Sequence, residues 1–142
     1  MSSPSPSDPA AAINQVLSEV IDDVLDVKQA HRRVPETHAL HAELDRLFDD
    51  LRAWARVIAD QDQALGVSPL ASMPTSAGRV PPHSWHGAAS DEEVRRIIGE
   101  DLDRLGQYLA AALAQQQDDT VRTALADVQR ALLVHQQALA GG

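Results

Sequence analysis

The chain of 142 residues contains no cysteine. That removes disulfides, thiolate nucleophiles and iron–sulfur ligation together, and leaves any metal to nitrogen and oxygen donors. No run of about eighteen apolar residues occurs, so no membrane-spanning helix is expected. The opening MSSPSPSDPA lacks the positive charge and apolar block of a secretory signal, which makes a cytoplasmic setting the expectation. Lysine is nearly absent: Lys28 stands alone, and 12 basic against 21 acidic residues give a formal charge of −9. With no basic run or arm, nothing supplies the counterion release on which nucleic-acid binding depends, so no nucleic-acid partner is expected. Glycine-rich phosphate loops and nucleophile–base motifs are also missing, which sets aside P-loop and serine-type catalysis. Strand-like alternation is absent as well, leaving an all-α fold.

What is present is helical rhythm. After a tail of Ser and Pro at residues 1–9, read as disordered, Ile13, Leu17, Val20, Val24 and Val27 alternate intervals of four and three, a stripe that continues to His31. Pro35 disfavours a helical Val34 and should end the first helix near Arg33. A second helix is predicted from Glu36 to Leu65 on Leu40, Leu44, Leu47, Leu51, Trp54 and Ile58, with Gly66 as its stop. Residues 66–89 are rich in Pro, Gly, Ser and Thr and read as a long crossover. Ser90 and Glu93 form a capping box for a third helix to about Gln116, and Asp118 or Asp119 caps a fourth that runs to the C-terminal glycines. Short, long and short connections between four helices define a ferritin-like bundle, domain 10–142, rather than an up-down-up-down one.

Within these helices His31, His41, Asp45 and Asp60 are the candidate metal ligands. Imidazole with carboxylate suits iron, manganese or zinc. His41 and Asp45 are one helical turn apart, so both can face one ion. Asp60 lies fifteen residues farther on, on the order of 22 Å along the axis, beyond any single coordination shell. Two copies of the second helix packed antiparallel about a two-fold axis would bring Asp60 of one to His41 and Asp45 of the other. His38 with His41 forms an HxxH pair as a local alternative, and His83 and His86 bracket Trp85 in the crossover, where packing is the simpler reading. His135 lies in the stripe of the last helix and reads as a packing residue. Asp118 and Asp119 at the start of the fourth helix are accounted for by capping.

Across about residues 13–140 the chain resembles the Dps or mini-ferritin family, in LDVKQAHRRV, ALHAELDRLFDDL, ADQDQALGVSP and the spacing of the fourth helix. In that family the first ligand histidine follows Gln-Ala, the second follows Ala-Leu, an aspartate lies four residues on, and a carboxylate lies five before Leu-Gly. The resemblance therefore implies His31, His41, Asp45 and Asp60 as ligands, iron as the ion, two sites across each dimer interface, and a twelve-subunit shell that oxidises and stores iron. Three departures accompany it. Arg32 stands where the family has tryptophan, and the loop to His41 is two residues shorter and lacks the usual glycine. Arg56 occupies the place of a bridging aspartate four residues before Asp60, and a guanidinium cannot ligate a cation. Two functions follow from the resemblance: a ferroxidase and iron store that protects against oxidative damage, or an assembly with a degenerate metal site acting as a structural or interaction protein. A monomeric four-helix adaptor is a third reading.

Overall fold

The computed structural model describes residues 8–66, 85 and 90–141, and these form four helices. Helix α1 spans Pro9–Arg33 and begins one residue before the expected start: Asp8 caps it, accepting from the Ala10 amide at 3.0 Å, and Pro9 enters the first turn, where its missing N–H costs nothing. It ends as Pro35 requires, with Val34 extended at φ −97°, ψ 125°. Helix α2 spans Ala39–Ala64, three residues shorter at its start than the sequence suggested. The reason is local: Pro35 closes a turn in which His38 N–H donates to the Pro35 carbonyl, and His38 becomes the N-cap. Gly66 follows α2 at φ 79°, the left-handed conformation that glycine adopts without strain.

Helix α3 spans Asp91–Gln115 behind its Ser90 cap, which accepts from the Glu93 amide at 3.1 Å. Helix α4 spans Asp119–Gly141, and Asp118 is the capping residue, accepting from the Val121 amide at 3.0 Å. Asp127 pairs with Arg130 on the same helix. The tail up to residue 7, most of the crossover and the pair His83 and His86 lie outside the described residues.

The packed pairs are α1 with α2, α1 with α3, α3 with α4, and α2 with α4. Side-chain bonds fix the directions. His38 and Asp91, at the starts of α2 and α3, meet at 2.9 Å, so these two helices begin at the same end of the bundle and run parallel. Arg95 near the start of α3 donates to the Ala138 and Leu139 carbonyls and pairs with Glu43, which ties α3, the end of α4 and the start of α2 together. Gln116 at the end of α3 reaches the Pro9 carbonyl at the start of α1. Gly66 and Ser90 therefore lie at opposite ends, which is the one-crossover topology of a ferritin-like bundle.

The predicted leucine stripe of α2 is buried throughout, from Leu40 to Ile58, and meets Ile98, Leu102, Leu105 and Leu109 of α3 with Leu125 and Leu132 of α4 in one core. Each such side chain contributes roughly 2 kcal/mol by leaving water. On α1 the expected stripe is buried at Ile13, Leu17, Val20 and Val27, and the buried face is wider than that stripe. Val24 and His31 are only half-buried, while Val16, Asp23 and Ala30 are fully inside. No described helix is long and apolar enough to cross a membrane.

Candidate metal centre

The short turn between α1 and α2 decides the site. By reversing the chain between Arg33 and Ala39 it folds the last turn of α1 onto the first turns of α2, and His31 and His41 stack with ring centroids 3.9 Å apart, tilted by 35°. Asp45, one turn beyond His41, places Oδ1 2.8 Å from His31 Nε2, a charge-pair distance without hydrogen-bond alignment. One donor atom from each of His31, His41 and Asp45 lies within 4.8 Å of the other two, as ligands of a single ion must. The two histidines are half-buried and Asp45 is exposed, so the cluster opens to the surface, beside Lys28, Arg32 and Phe48.

His41 is held in one ring orientation. Its Nδ1 lies 2.9 Å from the Val34 carbonyl oxygen, which can only accept, so Nδ1 carries the proton and donates. Nε2 is then left with a lone pair facing the cluster, the arrangement by which metal-binding histidines are usually oriented. Val34 offers that carbonyl because its extended backbone is forced by Pro35.

Asp60 is exposed on the far half of α2 and does not join the cluster within one chain. Arg56, also exposed, lies on α2 one turn before it. The HxxH alternative does not form: His38 turns to Asp91 and is absent from the converging groups. His135 packs edge-on against Trp54 and bonds Asp50 at 2.7 Å, in keeping with a packing residue that has found an acceptor. Trp85 donates from Nε1 to Asp26 at 3.3 Å and lies under the Arg33 guanidinium.

A second convergence was missed. Glu19 and Asp23 of α1 meet Asp101 of α3 inside the bundle, all three buried, with Arg104 donating to Glu19 at 2.8 Å and to Asp101 at 2.6 Å. The signal in the sequence was the series Val16, Glu19, Asp23, Asp26 and Ala30, which keeps helical phase with the core although three of its members are acidic.

No protein-family model matches the chain, and no curated protein matches it. Among solved structures the chain is similar to Dps from Microbacterium arborescens, determined in its high iron form: 94% of this chain and 93% of that one superpose with a TM-score of 0.71 at 23% identity. The class is thus the ferritin-like four-helix bundle. Within that class the fold is that of Dps.

Proposed function

We propose that this chain assembles as a Dps-like shell and binds ferrous iron at its two-fold interfaces. The convergence of His31, His41 and Asp45 in the presence of the His41–Val34 hydrogen bond carries this reading. Three groups of mixed nitrogen and oxygen character make an open half-site, and Asp60 from a second copy of α2, running antiparallel, supplies the remaining ligand. Leu133 and Val134, exposed on α4, give the isolated chain an apolar surface that assembly would cover. The charge of −9 draws cations toward such a shell.

Iron is the substrate. His31 and His41 hold it through Nε2, Asp45 compensates its charge, and Val34 keeps His41 aimed. Each ferrous ion gives up one electron, and two such electrons reduce one peroxide to two hydroxides, with the ferric product collecting as mineral in the interior. Dioxygen is the alternative oxidant, and zinc or manganese fit the same donors. Arg56 restores a positive charge where a further carboxylate would bridge a second ion, so each site holds one ion and oxidation is slow. A degenerate, purely structural assembly is the competing outcome.

Anaerobic ferrous titration followed by a crystal soak tests the reading. The expected result is one ion per chain, with anomalous density beside His41 and loss of both in His41→Ala, in a protein that light scattering shows to be a twelve-subunit particle. A monomer, or a ferrous stoichiometry that His41→Ala leaves unchanged, would overturn it.

A further inference from the structure

The core of the bundle gathers acidic side chains. Glu19, Asp23 and Asp26 of α1 and Asp101 of α3 are all buried, and among the described residues Arg104 pairs with Glu19 and Asp101. Arg104 engages both oxygens of Glu19 and Oδ1 of Asp101, and Trp85 engages Asp26. Asp23 receives none of this. It is 0% exposed, and neither of its oxygens meets a donor among the described residues. The group beside it, Glu19, is itself a carboxylate, so contact between them is favourable only with a proton or a cation in between. An unpaired carboxylate this deep is costly enough that something must neutralise it.

The geometry limits what that can be. Glu19 and Asp23 are one turn apart on α1, Asp101 faces them from α3, and one oxygen of each lies within 4.8 Å of the other two. All donors are oxygen, with no imidazole in the group, which suits the hard divalent ions rather than zinc or copper. Arg104 differs from Arg56 in this respect. Arg56 stands in place of a ligand, whereas Arg104 adds one positive charge to a surplus of carboxylates and leaves room for two more. Arg104 is 39% exposed and marks the side from which an ion could arrive.

We propose that Glu19, Asp23 and Asp101 form a second, intra-bundle site for one oxygen-preferring divalent cation of the Mn²⁺ or Mg²⁺ class, built within a single chain and independent of the interface site. An ion here would clamp α1 to α3 at the middle of the bundle.

The test uses Mn²⁺ alone with the full chain carrying His31→Ala and His41→Ala, so that the interface site is silent. The six-line electron paramagnetic resonance signal of free Mn²⁺ should fall by one equivalent per chain at mildly alkaline pH, and Mg²⁺ should compete. Asp23→Asn, which keeps the shape of a neutral acid, should weaken binding by more than about a hundredfold, beyond the range of about 10–100-fold for loss of a mere orienting partner. A second readout requires no carboxylate substitution: about 1 mM Mn²⁺ should raise the melting temperature of the double histidine variant by on the order of 5 °C. If that variant leaves the free signal intact and its melting temperature unmoved, the cluster is held by protons only and the proposal is wrong. It is equally wrong if Asp23→Asn binds Mn²⁺ as the parent does.

Discussion

His41 donates its Nδ1 proton to the carbonyl of Val34 across 2.9 Å, and Val34 presents that carbonyl because Pro35 follows it. A residue that touches no metal thus sets the direction of a candidate ligand. Pro35→Ala should free Val34 to adopt helical angles, loosen the His41 ring and weaken ferrous binding about tenfold, the usual scale for losing an orienting partner. Anaerobic titration of parent and variant decides it, and equal affinities would show that ring orientation is set elsewhere.

Arg56 supplies the second prediction. Exchanging its charge for a carboxylate next to the interface site changes the local charge by two, and even with generous screening the gain for a divalent ion should be at least tenfold in affinity, about 1.4 kcal/mol. Arg56→Asp should therefore raise ferrous stoichiometry from one to two per interface site and speed the appearance of ferric absorbance. An unchanged stoichiometry would place Arg56 outside the site.

The parts of this molecule that could be read from its sequence are those with one-dimensional signatures. The α2 stripe from Leu40 to Ile58 repeats cleanly because every member is apolar, and Pro35, Gly66 and Ser90 mark boundaries through their own backbone chemistry. His41 and Asp45 were visible as a pair because one helical turn joins them. His31 required the reversal at Pro35, which the resemblance supplied and periodicity did not. The buried acids were illegible for a physical reason: the apolar rhythm of α1 runs through Ile13, Leu17, Val20, Val24 and Val27, and Glu19, Asp23 and Asp26 beside it carry the carboxylates that ordinarily mark a solvent-facing row. Their partner Arg104 lies 85 residues from Glu19 in sequence, and no local pattern announces such a contact.

Asp62 gives a pH prediction in the metal-free protein. It is 0% exposed near the end of α2, its oxygens have no partner among the described residues, and burial pushes it up to about 6. The folded state thus holds the proton more tightly than the unfolded chain, whose aspartates titrate near about 3.9. Stability from this group is fully present below the unfolded value and is lost as pH rises through about 6, by roughly 3 kcal/mol at most. Urea midpoints in the presence of a chelator should fall across that window. In Asp62→Asn the fall should be shallower, and identical slopes in the two proteins would remove Asp62 as the cause.

Arg104 is the remaining lever, and here magnitude separates two views of its ion pairs. If they behaved as surface pairs, Arg104→Ala would cost no more than about 1 kcal/mol. Glu19 and Asp101 are nearly or wholly inaccessible, however, so truncation leaves Glu19 inside the bundle without its guanidinium and Asp101 without its donor. Breaking a fully buried pair costs about 3–5 kcal/mol; since Arg104 is itself 39% exposed, the expected loss is discounted to roughly 2–4 kcal/mol. Arg104→Lys should recover only part of it, because a single ammonium cannot reproduce the two-pronged contact with Glu19. Chemical denaturation of both variants reads the result directly. A loss for Arg104→Ala below about 1 kcal/mol would show that the pairs are no stronger than exposed ones, and a full recovery by lysine would show that charge rather than guanidinium geometry holds α1 to α3.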